Sequence, residues 1–304
     1  MAWETILKIK ETVKKNASDR EYLTIPSTIS TIKSTSESVS RSCTIRLQFK
    51  EDNIKHDDAD IIIDCFKPFL SKLKYNQAVS FPDRRLLEMY VPYAVLPFFA
   101  MHFTKTFVVA HFAQTIDGRI ASVKGDSKWI GNQENLVHAH RMRALLDGII
   151  IGSRTLSSDN PKLTVRHVTG ENPRKILIGG DELDLKNFNI GHEEFISVNQ
   201  NPGSKGLSYQ FKKKKNLYNA KEILNALFEL GIYSVYIEGG AITTSAFLIQ
   251  NSIDQIQAHF APIILGSGTT GFNFDGVKYL EEAIYFKSFR YVPIGDQMMF
   301  IGEL

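Results

Sequence analysis

The side chains best suited to chemistry in this sequence are two carboxylates and two guanidinium groups beside turns rich in glycine and hydroxyls. Glu238 closes an apolar run and is followed by Gly239, Gly240 and Ala241, then by Thr243, Thr244 and Ser245. Paired glycines at the mouth of a helix let the backbone approach a pyrophosphate, and the free N–H groups and positive dipole end of that helix favour an anion. Asp159 precedes Pro161, and Arg166 follows in the run Leu163-Thr164-Val165-Arg166. A carboxylate and a guanidinium held by a proline turn can orient a hydroxyl-bearing, phosphorylated molecule, because arginine presents a planar fork to phosphate oxygens. A solvated ion pair on a surface loop is the alternative use of the same residues.

Further candidates lie upstream. Asp117-Gly118 and Gly125-Asp126-Ser127 are two turn signals that lead to Trp129, a pattern suited to a loop closing over something flat; ordinary turns and a core aromatic would read the same way. Arg141 and Arg143 stand near the end of a helical stretch, where cations also favour the helix dipole without any ligand. Ser153, Arg154 and Thr155 follow the apolar strand 148–152, at the kind of strand exit where open α/β sheets bind ligands. No Gly-x-Gly-x-x-Gly follows the first strand of this region, and neither a phosphate-loop motif nor a His-Glu-x-x-His zinc helix is present. His138 and His140 fall on different faces of a helix, so they do not form a metal pair, and no metal is expected. Lys212–Lys215 reads as a solvated loop.

These residues need elements to carry them. From residue 106 onward, short apolar strands at 106–113, 148–152, 175–178, 195–198, 234–237 and 255–260 alternate with helical patterns at 132–146, 219–230 and 243–251. Continuous apolar strands imply a mostly parallel sheet covered on both faces, with 291–301 adding antiparallel edge strands. The expected organisation is therefore an α/β domain over 106–304 behind a smaller N-terminal region over 1–105. In that region 3–15 has a helical period, 24–44 is a polar loop or a pair of polar strands, and 44–49 alternates as a strand. The most apolar window, 90–103, falls short of a membrane-spanning length.

Taken in order, Asp117-Gly118-Arg119-Ile120-Ala121, Gly125-Asp126-Ser127-Lys128-Trp129, Arg143-Ala144 with Asp147, Asp159 through Arg166, and Glu238-Gly239-Gly240-Ala241 resemble the reductase domain of riboflavin-biosynthesis enzymes, the RibD C-terminal family of the dihydrofolate-reductase-like superfamily. The resemblance covers 106–301 and implies NADPH-dependent reduction of a phosphoribosylamino-pyrimidine, with hydride reaching the ribose C1′. It places Ser127, Arg143, Leu163, Arg166 and Glu238 toward substrate, and Ala113, Trp129, Thr155, Asp159, Gly239, Gly240, Ala241 and Thr243 toward NADPH. Asp159 and Glu238 become the candidates for organising sugar hydroxyls and relaying a proton, Arg154 a candidate for the cofactor's 2′-phosphate, and the assembly a homodimer. A reductase of another pyrimidine or pteridine-like compound, or a noncatalytic nucleotide sensor, would keep many of the same motifs.

Two departures stand out. The His-x-Glu and Pro-Cys-x-x-Cys signature of the zinc deaminase that accompanies the bacterial enzymes is absent, and Asp159-Asn160-Pro161 replaces the usual Asp-Asp-Pro. Bulk properties set outer limits: a net charge of +3 argues against a dedicated nucleic-acid binder, and only Cys43 and Cys65 are present, which excludes a disulfide framework and fits a reducing cytoplasm. Neither a signal segment nor a membrane partner is expected.

Overall fold

The structure, a computed structural model, describes residues 1–16, 22–32, 38–49, 59–76, 79–180, 183, 187–189, 195–199, 207–210, 213–214 and 217–304. It separates into two compact units, Met1–Lys105 and Thr106–Leu304.

In the first unit, α1 (Ala2–Asn16) precedes four strands, β1 (Tyr22–Ile32), β2 (Ser38–Gln48), β3 (Ile61–Lys67) and β4 (Leu70–Tyr75), and two helices follow, α2 (Phe81–Ala94) and α3 (Leu96–Phe103). The strands lie side by side in chain order, with β2 and β3 parallel and the other pairs antiparallel. The described parts of the segment 24–44, namely 24–32 and 38–44, thus belong to an antiparallel strand pair, and 44–48 continues the second of those strands. Alternation along the strands buries Ile25, Ile45, Leu47, Ile61 and Ile63, while Ile6, Ile9 and Val13 form the buried stripe of α1. Ser80 caps α2, its hydroxyl accepting the Asp83 N–H at 3.3 Å. The apolar window at 90–103 is the end of a longer helical run, Phe81–Phe103, whose 23 residues do reach the length and composition needed to cross a bilayer. In this unit 61% of its most apolar window is packed inside the protein, as in a core helix.

The second unit opens with β5 (Phe107–Thr115), β6 (Arg119–Ala121), α4 (Gln133–Leu145), β7 (Gly148–Gly152) and α5 (Ser153–Asp159). It continues with β8 (Arg174–Ile178), β9 (Phe195–Asn199), β10 (Leu207–Gln210), the short β11 (Lys213–Lys214) and β12 (Leu217–Tyr218), α6 (Ala220–Glu229), β13 (Ser234–Glu238) and α7 (Ala241–Leu248). It closes with β14 (Gln255–Ala261), β15 (Thr269–Thr270), β16 (Ser288–Ile294) and β17 (Gln297–Glu303). Nine strands form one sheet in the order β10-β9-β8-β7-β13-β5-β14-β17-β16, parallel throughout except for β17. The C-terminal segment does add the antiparallel edge, as the hairpin of β16 and β17. Of Lys212–Lys215, only the backbone of Lys213 and Lys214 lies within the described residues, paired with β12.

The two faces of this sheet differ in chemistry. On one, Val108, Ala110, Ile150, Val235, Ile237 and Ile256 pack beneath α6 and α7 in an apolar core. On the other, Ile149, Ile151 and Leu177 pack with Leu156 of α5 and Leu163, while the neighbouring stretch under α4 is polar. There Asn135, His138, His140 and Arg143 of the helix are buried beside His111, Gln257 and His259 of the sheet. Asn132 caps α4, accepting the Asn135 N–H at 2.8 Å, and so marks where the helix begins, but hydrophobic periodicity does not reveal its buried face, because that face is polar.

Candidate active site

Parallel strands all deliver their carboxyl ends to one edge of the sheet, and a cavity of about 850 Å³ opens there, where β13 has been inserted between β5 and β7. Its walls come from the ends of β5, β7, β8 and β13, the starts of α5 and α7, and the loops 120–127 and 268–273. The expected residues Ala113, Ser127, Thr155, Asp159, Leu163, Glu238, Gly239, Gly240, Ala241 and Thr243 all line it, as does Arg154.

Local geometry explains the glycines at this edge. Gly240 sits at φ 76°, a left-handed conformation that costs a residue with a Cβ, and it starts α7 without a side-chain cap. A Cβ on Gly240 would lie 2.8 Å from Thr155 Oγ1, and one on Gly152 would overlap Thr243 Oγ1, whereas the space above Gly239 is open. The exits of β7 and β13 are therefore packed against each other through Thr155 and Thr243, leaving a bare cradle over Gly239 at the start of α7, with the Gly239 N–H itself donated to the His111 carbonyl at 3.2 Å. A phosphate-bearing nucleotide fits such a cradle. NADPH, which the family resemblance implies, carries a pyrophosphate that these residues suit.

Glu238 faces the cavity, and behind it lies Arg143. Arg143 Nε donates to Glu238 Oε1 at 2.5 Å, Nη2 donates to Oε2 at 2.6 Å, and Nη1 donates to the Thr164 carbonyl at 3.0 Å. Burial opposes the Arg143 charge, but the adjoining carboxylate more than compensates and holds its proton above the ordinary range. Three positions before Arg143 on α4, His140 accepts the Arg166 backbone N–H on Nδ1 at 2.9 Å. Burial, with the Arg143 and Arg166 cations nearby, pushes His140 down to about 4, so the acceptor form persists at neutral pH.

Three expected ligands, Trp129, Arg143 and Arg166, stand apart from the cavity wall. Trp129 is 83% exposed and at φ 71°, neither a core aromatic nor in contact with the cavity as it stands. Arg143 is buried behind Glu238 and is not one of the lining residues; its guanidinium is engaged by the carboxylate and does not project as a helix-end cation. Arg166 is exposed, its Nη1 donating to Thr164 Oγ1 at 2.7 Å. Asn160, in place of an aspartate, adopts φ 40° as it ends α5, accepts the Asn189 N–H on Oδ1 at 2.6 Å and receives the Asn189 amide on its carbonyl at 2.7 Å. Asparagine tolerates this left-handed position, and its two hydrogen bonds tie it to Asn189 in the connection between β8 and β9.

Sequence reasoning did not single out His111, which lines the cavity from β5. Its Nε2 donates to Asn135 Oδ1 at 3.0 Å, and its ring stacks on Tyr236 with centroids 5.5 Å apart. Beside it, His138 Nε2 donates to Gln257 Oε1 at 2.9 Å, and His259 pairs with Gln297. Burial, helped by neighbouring imidazoles, pushes His111 and His138 down to about 3 each. The signal available in the sequence was a histidine inside an otherwise apolar strand. The Asp117-Gly118 turn, by contrast, is a brace: Asp117 accepts from Thr115 Oγ1 at 2.6 Å and from the Leu265 and Gly266 N–H groups at 3.2 and 2.6 Å.

Comparison with known proteins places this arrangement. The family model of the RibD C-terminal domain matches residues 106–295. The riboflavin biosynthesis protein RibD of Aquifex aeolicus is 29% identical over 203 residues, covering 64% of this chain and 57% of that protein. The chain thus spans a little over half the length of that relative. The 2,5-diamino-6-ribosylamino-4(3H)-pyrimidinone 5′-phosphate reductase of Methanothermobacter thermautotrophicus is 25% identical over 210 residues, 64% of this chain and 96% of that protein. In fold, the chain is similar to the Thermotoga maritima diaminohydroxyphosphoribosylaminopyrimidine deaminase/5-amino-6-(5-phosphoribosylamino)uracil reductase, with a TM-score of 0.60 at 23% identity, covering 73% of this chain and 62% of that one.

Proposed function

The chain belongs to the RibD C-terminal domain family, and from that premise we propose that it is an NADPH-dependent reductase of a phosphoribosylamino-pyrimidine in riboflavin biosynthesis. The observation that carries the reading is the meeting, at one cavity, of the Glu238 carboxylate with the glycine cradle of Gly239 and Gly240. The archaeal reductase supports it too, since 96% of that protein's length is matched by this chain.

Bound in the cradle, NADPH would supply a hydride. The reaction then asks the protein chiefly for alignment: hydride adds at C1′, the bond from C1′ to the ring oxygen breaks, and that oxygen takes up a proton to leave an open ribityl chain. Glu238, held by a bidentate guanidinium, serves as a fixed anionic acceptor for the sugar hydroxyls. Asp159, exposed at the cavity mouth, is the carboxyl group in exchange with water and delivers the proton at the ring oxygen, directly or through a water. Arg166 and Ser127 receive the phosphate end, and Arg154 the 2′-phosphate of the cofactor. Trp129 folds from its exposed position onto the bound cofactor.

The edge of the sheet supports a homodimer. β16 has no partner on its outer side among the described residues, and it exposes Phe289 at 63% and Tyr291 at 59%.

The test is oxidation of NADPH by the purified protein with the deaminated ribosylaminopyrimidine phosphate, in parallel with the undeaminated compound and with NADH. Turnover slowed on the order of a thousandfold by Glu238→Gln and on the order of a hundredfold by Asp159→Asn is the expected result. Saturable NADPH binding without turnover of either pyrimidine would move the substrate elsewhere, and absence of both would return the chain to the nucleotide-sensing alternative.

A further inference from the structure

The segment 163–166 presents Leu163 to the cavity and carries Arg166, yet it belongs to no helix or strand. We infer that His140, which does not border the cavity, is the positioning residue for this segment and thereby sets the preference for a phosphorylated substrate. The inference rests on the reductase reading above.

Backbone groups in an irregular segment need partners as much as those in a helix. Here the partners are side chains: among the described residues, no main-chain group of 163–166 bonds to another main-chain group. The Thr164 carbonyl accepts from Arg143 Nη1 at 3.0 Å, the Val165 N–H donates to Asn172 Oδ1 at 2.8 Å, and the Arg166 N–H donates to His140 Nδ1 at 2.9 Å. Asn172 is exposed and lies seven residues further along the same loop, so its bond folds the loop on itself. The two bonds that tie the segment to the rest of the unit both come from α4, and that of His140 falls on the residue whose side chain receives phosphate in the reading above. Leu163 stands at φ 54° and is 1% exposed, a conformation that a residue with a Cβ keeps only where its surroundings impose it.

The imidazole is committed to this use. His140 is fully buried, and with Nδ1 accepting an N–H the uncharged ring carries its proton on Nε2. Nε2 is buried without a hydrogen-bond partner among the described residues, while the ring meets that of His167 edge to face, centroids 4.6 Å apart. An apolar side chain would fill the same place without leaving a buried donor unpaired, so what the imidazole contributes is Nδ1. Burial, then Arg143 on its own helix and Arg166 and His167 on the facing loop, push His140 down to about 4 against the opposite pull of Glu238 on β13. Nδ1 is therefore an acceptor at neutral pH.

The experiment compares kcat/KM for the ribosylaminopyrimidine with and without its 5′-phosphate, at neutral pH, in wild type, His140→Gln and His140→Met. The two replacements are close in length and shape, and only glutamine has an acceptor for the Arg166 N–H. Expected for His140→Gln is a ratio between the two substrates within about threefold of wild type. In His140→Met the ratio falls roughly tenfold, through a rise in KM for the phosphorylated compound, while kcat and the affinity for NADPH stay within about threefold. A ratio that moves equally in both variants, or in neither, overturns the inference.

The ring is also read directly, by NMR of protein labelled at its histidine nitrogens, where the signals lost in His140→Gln should be those of a ring protonated on Nε2 alone. A proton on Nδ1 overturns the inference, whether or not His140→Met folds. If wild type turns over neither substrate, it is the proposed activity that fails, and the position of that proton together with amide exchange then decides. Protection of 163–166 falls about tenfold in His140→Met and is kept in His140→Gln. Equal protection in the two variants overturns the inference.

Discussion

Lowering the pH into the mildly acid range should destabilise the larger unit well before its carboxylates titrate. His111 and His138 are buried and pushed down from 6.5 to about 3. The neutral form is the one the fold accepts, so the unfolded chain binds more protons than the native one between those values. Their contribution is complete above 6.5 and is lost progressively as pH falls toward 3. Between about pH 7.5 and about pH 5, each histidine then forfeits about 2 kcal/mol, and the pair about 4 kcal/mol, against a domain stability of roughly 5–15 kcal/mol. His140 and His259, shifted in the same direction, steepen the slope. Urea unfolding at a series of pH values measures this, with pulses of amide exchange read on peptides from β5, β13 and β14 so that only the larger unit is scored. His138→Gln keeps a donor toward Gln257 and removes one titrating group, so it should reduce the slope by about 1.4 kcal/mol per pH unit. A slope in wild type below one proton between about pH 6 and about pH 5 would refute the reasoning, since it would mean that these imidazoles charge as readily inside the fold as outside it.

Other outcomes follow from the site itself. The sequence has two tryptophans, Trp3 at 8% exposure and Trp129 at 83%, so quenching on NADPH titration should vanish in Trp129→Phe and survive in Trp3→Phe; survival in the former would leave Trp129 away from the cofactor. Gly240→Ala forces a Cβ into a left-handed backbone position 2.8 Å from Thr155 Oγ1, and should weaken NADPH roughly tenfold or more in an equilibrium titration while leaving the thermal midpoint within a few degrees. Phe289→Asp with Tyr291→Asp puts charges on the open edge strand and should convert a dimer to a monomer in sedimentation; an unaltered dimer would exclude that edge as the interface.

Much of the larger unit could be read in advance because its strands are buried on both faces. Runs such as Gly148–Gly152 and, within β13, 235–237 are apolar without interruption, and each leads to a turn built from residues with a local signature, glycine above all. The unreadable parts have a common physical cause, which is that their partners come from far along the chain. β6 pairs with β15 across a separation that no local pattern records. α2 was hidden because Pro92 and Pro97 interrupt the window, although a short helix restarting at Leu96 tolerates a proline in its first turn.

The polar layer under α4 is the most instructive case. Hydrophobic periodicity assumes that what is buried is apolar, and it fails where His138 meets Gln257, or Arg143 meets Glu238. Such a layer has a reason to lie where it does. An apolar layer would leave the Glu238 carboxylate against hydrocarbon, with no partner to fix its orientation. With Arg143 paired to it by two hydrogen bonds, and with His140 on α4 and His111 on β5 uncharged at neutral pH, the carboxylate keeps its orientation toward the cavity. The residues that break the pattern of a well-behaved amphipathic helix are thus the ones that keep the cavity charged, and a local misfit in the sequence marks the site more closely than any of the turns around it.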